Sequence, residues 1–150
     1  MKLLIFAGLA CLAIDIAAAQ AVGTTISSEG NWDLKKSSPD SDDSSCVLTP
    51  KTPSRVEVTR GRIDVTGMPK NSIFNYQYRV DDGPASTPVF PSEAMQTAGK
   101  ISIDGEAVSD IVKGRRFRFR MLDRWHEAIS EDVDLTGLSA LYKRLEATCK

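Results

Sequence analysis

One histidine, His126, serves the whole 150-residue chain, and no cysteine lies close to another. A Ser-His-Asp or Cys-His centre would have to use His126, with Asp123 or Asp132 as its orienting carboxylate. No serine sits in a Gly-x-Ser-x-Gly elbow to act as nucleophile. The lack of C-x-x-C removes the usual redox and zinc pattern. A formal net charge of -1 excludes a dedicated nucleic-acid binder, which carries a clear positive excess. No Gly-rich phosphate loop follows a strand pattern, and no internal repeat or heptad is present. No cofactor is expected. Two distant carboxylates of glycosidase type stay open in principle, but no spacing points to a pair.

Long apolar runs are equally scarce, with one exception at the start. Lys2 precedes an apolar stretch over residues 3–14 that Asp15 interrupts, and Ala17-Ala18-Ala19-Gln20-Ala21 follows. A spanning helix needs about 20 apolar residues. This stretch is shorter and ends in small residues, so residues 1–21 read as a secretory signal peptide cleaved after Ala19 or Ala21. The mature protein is then expected in the periplasm or secreted, with no transmembrane segment after cleavage. Cys11 does not make it a lipoprotein, because Gly8 stands where such signals carry Leu.

About 130 residues remain, enough for one domain with a real core. Residues 22–31 are small and polar and are expected to be a flexible N-terminal arm. Trp32 is the first residue able to anchor a core, so a single β-rich domain is expected over residues 32–150. With Cys11 removed, Cys46 and Cys149 form an even pair, which reads as a disulfide in an oxidising compartment. Residues 37–45 form a polar run that cannot bury apolar area. Its Asp40, Asp42 and Asp43 fail the EF-hand test, since Lys51 stands where the twelfth-position Glu belongs, so no metal site is expected.

Strand patterns follow. Val56 and Val58 alternate with Glu57 and Thr59, and Ile63 and Val65 come after Arg60-Gly61. Phe74, Tyr76, Tyr78 and Val80 are expected on one face of a strand, with Asn75, Gln77 and Arg79 on the other. Pro84, Pro88 and Pro91 keep the next stretch irregular. Residues 100–103 suggest a short strand, and 105–113 a helical turn or two. Phe117, Phe119 and Met121 alternate with Arg116, Arg118 and Arg120, and residues 129–135 suggest the last strand. Thr136 is placed to cap a final helix striped by Leu138, Leu141, Tyr142 and Leu145. Many short strands and one terminal helix predict a mainly β fold, an antiparallel sandwich or flattened barrel with a C-terminal α-helix.

Several of these features occur together in one family. Trp32, the segment Tyr78-Arg79-Val80-Asp81-Asp82-Gly83-Pro84, the basic strand, and Asp134-Leu135-Thr136-Gly137-Leu138 leading to Cys149 resemble the VasI-type family associated with type VI secretion. The invasion-associated locus B family has a similar ending. The chain departs from the pattern in one respect: Cys46 lies well before the strand where such proteins carry a cysteine. The resemblance implies an exported accessory protein of the bacterial envelope and brings no catalytic mechanism with it.

Arg116, Arg118 and Arg120 stand about 7 Å apart on one strand face. One reading is a patch for a protein or for an anionic envelope or host component, such as lipopolysaccharide phosphate or lipid headgroups. The other is a charged outer face paired with nearby carboxylates. Aromatics lie on the opposite face, so the interleaving that single-stranded nucleic acid needs is missing. Tyr78, Arg79 and Asp81 admit the same two readings, with Asp81 or Asp134 as the structural partner of Arg79. The function expected is a non-enzymatic binding or accessory module. A secreted host-surface or polyanion-binding factor, and a periplasmic enzyme or enzyme inhibitor, are the alternatives.

Overall fold

Alternation of apolar and polar residues dictates a half-buried antiparallel sheet, and the computed structural model, which describes residues 23–36 and 45–149, contains two of them. The leader at 1–21 and the acidic residues Asp40, Asp42 and Asp43 lie outside the described residues. The larger sheet is a meander of β1 (Thr24–Glu29), β2 (Trp32–Lys36), β3 (Cys46–Pro50), β4 (Val56–Thr59) and β5 (Arg62–Val65). The chain then leaves for β6 (Ile73–Val80) and helix α1 (Glu93–Ala98), and returns as β7 (Ile101–Asp104) to pair with β5. After α2 (Glu106–Lys113), strands β8 (Arg116–Asp123) and β9 (Ala128–Asp134) join β6 in a three-stranded sheet. Helix α3 (Leu138–Thr148) closes the chain. The fold is thus mainly β and sandwich-like with a C-terminal helix, and its sheets do not close into a barrel.

Cross-strand register explains the core. Leu34 faces Leu48, Leu48 faces Val58, Val58 faces Ile63 and Ile63 faces Ile103, so one side of the large sheet is apolar throughout. All five are buried, together with Phe117, Phe119 and Met121 of the small sheet and Leu138, Leu141 and Leu145 of α3, in one cluster. Each such side chain contributes about 1.5–3 kcal/mol by leaving water. Helix α3 lies against β1, β2, β3 and α2. Its C-terminal neighbour Cys149 is bonded to Cys46 at the start of β3, with Cα atoms 6.0 Å apart.

Three expectations change. The stretch expected as an arm contains β1, an edge strand paired with β2 from Thr24–Lys36 to Glu29–Trp32. Its hairpin turn is Gly30-Asn31, with Gly30 at φ 51°. A Gly-Asn pair is a hairpin signal, but the strand itself buries no residue, so apolar patterning does not reveal it. Helix α1 also buries nothing; Ser92 caps it through the Met95 amide and Gly99 ends it at φ 60°. The cap of α3 is Gly137 rather than Thr136, and no side chain bonds there.

The disulfide closes a separation of 103 residues, for which restricting the unfolded chain is worth about 4.7 kcal/mol on the chain-entropy model. Cys46→Ser/Cys149→Ser should therefore lower unfolding free energy by about 2–5 kcal/mol, read from urea titrations of both proteins without reductant. An unchanged midpoint would show that the cross-link does not stabilise the fold through the unfolded chain as that model requires.

Candidate functional site

The outward face of β6, β8 and β9 is the candidate site. Its inner face is fixed by pairs of aromatic and apolar residues: Tyr76 opposite Met121, Tyr78 opposite Phe119 and Val80 opposite Phe117. The ring of Tyr76 stacks on Phe119 with centroids 6.0 Å apart, and that of Tyr78 lies 6.2 Å from Phe117. Burial of Tyr76 pushes its hydroxyl pKa up. Because side chains alternate, Arg116, Arg118 and Arg120 face the other way. Arg120 lies between Gln77 and Ser130, Arg118 between Arg79 and Asp132, and Arg116 beside Asp134.

This register divides the arginine stripe. Both Asp132 oxygens accept from Arg116, at 2.6 Å from Nε and 2.7 Å from Nη2. Arg118 lies 3.6 Å from Asp132 and 3.9 Å from Asp82, and donates to the Asp81 carbonyl at 3.2 Å. Among the described residues neither Arg120 nor Arg79 has a carboxylate partner. The expected pairing of Arg79 with Asp81 or Asp134 does not occur. A cleft of about 510 Å³ brings Arg115, Arg116 and Arg118 against Asp81, Asp82, Asp132 and Asp134. A shallower one of about 320 Å³ adjoins it between Arg79, Arg120, Ser130 and Asp132. The face therefore carries both signs of charge in close alternation.

Sequence reasoning placed the arginines but missed Asp132 as their partner. The signal was present: counting outward from the β8–β9 turn in a regular hairpin pairs 118 with 132. Among the described residues no hydrogen bond joins the His126 side chain to Asp123 or Asp132. Asp123 Oδ1 accepts from the amides of Trp125 and Glu127, Asp132 is committed to arginine, and the imidazole lies 5.7 Å from the Phe74 ring.

The two family-like segments have specific structural duties. Asp81 adopts φ 51°, and its Oδ1 accepts from the amides of Arg115 and Arg116 at 2.9 and 2.8 Å. Gly83 closes a turn on Val80, while Asp82 is free in solvent apart from its distant approach to Arg118. Tyr78 exchanges bonds with Ser86, donating its amide to Oγ and accepting from the Ser86 amide at its carbonyl. Asp134 accepts from the Thr136 amide and the Asn31 side chain at 2.8 Å each, and its carbonyl accepts from Trp32 Nε1 at 2.8 Å. Gly137, at φ 93°, sits where a Cβ would come within 2.2 Å of the Glu29 oxygen, and Leu138 is fully buried. No family model, curated protein or solved structure matches the chain.

The hydrogen bonds and charge of Arg116, with Arg118 adding to them, hold the Asp132 carboxyl below its ordinary 3.8. Asp134 is lowered by hydrogen bonds from Thr136, side chain before backbone, and from Asn31. Each carboxylate binds its proton less tightly when folded. Each therefore adds stability that is complete above the ordinary carboxylate value and is lost as pH falls through the lowered one. Asp132→Asn/Asp134→Asn should flatten the decline in stability below about pH 4, measured by urea midpoints across the acid range. Retention of the wild-type slope would place the acid sensitivity elsewhere. Gly137→Ala should cost about 1–3 kcal/mol through backbone strain alone, with the steric encounter at Glu29 adding to it; an unchanged melting temperature would contradict that close approach.

Proposed function

We propose that this chain is a non-enzymatic binding or accessory module exported to the bacterial envelope, and that it recognises a protein through the outward face of β6, β8 and β9. The observation that carries this reading is that, among the described residues, Arg79 and Arg120 lack carboxylate partners while Arg116 and Arg118, beside them, are already answered by Asp132 and Asp82. A uniform polyanion would have to compete with those built-in carboxylates. A protein surface of mixed charge can engage the free arginines and leave the internal pairs intact, the usual basis of electrostatic complementarity.

Export is supported by the Lys2, apolar and Ala-rich leader, and by a disulfide that suits the periplasm or the exterior. The VasI-like order of segments favours an association with secretion. It is the weaker support, because Asp81, Asp134 and Gly137 are accounted for by turns and close packing.

Arg79→Glu/Arg120→Glu, at one half-buried and one exposed position outside the core, should leave folding within about 1 kcal/mol, and should lower capture of the protein's partner from an envelope extract by at least about tenfold. Capture is read by quantitative mass spectrometry against the wild-type chain. Equal capture by both proteins would sink the reading. Binding of the wild type to immobilised heparin that disappears at moderate salt would replace it with the polyanion-binding one.

A further inference from the structure

At the end of the small sheet away from the charged cleft, three segments bring aromatic side chains to the surface. In β6 the register with β8 shifts between Ile73 and Asn75, and Phe74 at that irregularity is 42% exposed. This departs from the expected alternation, which put Phe74 on the buried face with Tyr76; a bulge turns one residue out of step. Phe90 is 68% exposed and meets Phe74 edge-on with centroids 5.9 Å apart. It is held there because Val89 and Tyr76 exchange both backbone hydrogen bonds, each 2.9 Å. The β8–β9 turn supplies Trp125, 73% exposed, and His126 against Phe74.

We infer that this aromatic end docks on a lipid bilayer surface bearing anionic headgroups. Four observations select that occupant. First, the turn is fit for a low-dielectric boundary, where an unanswered amide is costly. The amides of residues 123–127 are all satisfied inside the protein: Asp123 by the Glu127 carbonyl, Arg124 by the Ser72 carbonyl, His126 by the Asp123 carbonyl, and Trp125 and Glu127 by Asp123 Oδ1. Second, Trp125 has no hydrogen-bond partner for its indole N–H among the described residues. An apolar ring with a polar edge suits the headgroup layer.

Third, the charges fit. Arg124 adjoins Trp125, and Arg120, which has no carboxylate partner among the described residues, lies one pleat along the same face from Leu122, against the single exposed acid of the turn, Glu127. Fourth, the three exposed rings present roughly 350–400 Å² when each ring is taken at about 200 Å², less than half the roughly 800 Å² per partner that a stable dimer buries. A bilayer needs no matching surface. Among the described residues no helix is long and apolar enough to cross a membrane, so the contact is peripheral. This inference goes beyond the protein-recognition reading and shares only Arg120 with it.

Trp125 reports its own environment, because the other tryptophan, Trp32, is fully buried. Vesicles of mixed phosphatidylethanolamine and phosphatidylglycerol should blue-shift the emission of the full mature chain and carry it upward in a flotation gradient. Phosphatidylcholine vesicles should do so more weakly. Trp125→Ser/Phe90→Ser should reduce flotation by about tenfold or more, and Arg124→Glu should weaken it on the anionic vesicles only, with thermal melts confirming that both variants fold. The inference is overturned if neither vesicle shifts the emission, if the double variant floats like the wild type, or if the shift instead grows with protein concentration in vesicle-free buffer, the mark of self-association.

Discussion

The meeting of two glycine turns sets how the two sheets are joined. Gly30, between β1 and β2, and Gly137, between β9 and α3, approach so closely that a Cβ on either would fall within 2.3 Å of the other turn's carbonyl oxygen. Asn31 donates its amide to the Thr136 carbonyl and its side chain to Asp134. Trp32, fully buried, then reaches the Asp134 carbonyl. The first hairpin of the large sheet is in this way tied to the last strand of the small one. The same turn directs α3 across β1, β2 and β3, and so brings Cys149 to Cys46. A buried disulfide between elements so distant in sequence depends on that direction being right.

Period-two alternation made β8 and most of β6 legible, because each buries one face against the core and exposes the other. It failed at Phe74, where one irregular residue in the pairing reverses the rule. It was silent for β1, whose six residues are held by backbone bonds and not by burial, and for α1, whose helical bonds are local and whose caps, Ser92 and Gly99, were the only cue. The division into two sheets was not legible at all. Whether β6 pairs with β5 or with β8 depends on contacts far apart in the chain, and either choice satisfies the same alternation. The cysteine pair was readable once Cys11 was assigned to the leader, since the two cysteines that remain admit a single intramolecular bridge.

The site was half legible for the same reason. A single strand tells which arginines share a face, but the charge of that face depends on what the next strand places opposite. Asp132 and Asp134 convert a positive stripe into an alternating surface, and only the hairpin register puts them there. A basic motif read without its neighbouring strand therefore overstates the free positive charge; among the described residues, Arg120 is the one arginine of the stripe without a carboxylate partner.

Strand β8 is held at both ends by an aspartate that folds back onto backbone amides. Asp81 Oδ1 accepts from Arg115 and Arg116 at its start, and Asp123 Oδ1 accepts from Trp125 and Glu127 at its end. Short polar side chains are suited to this because they can replace a missing main-chain partner in a turn. Both turns contain a non-glycine residue at positive φ, Asp81 at 51° and His126 at 65°, and the carboxylate bonds offset the cost of that conformation. The consequence is that the charged cleft at one end and the aromatic turn at the other are presented by ordered backbone. Ordering that is complete before contact is not charged against binding. A ligand meeting either surface would therefore not have to organise it first.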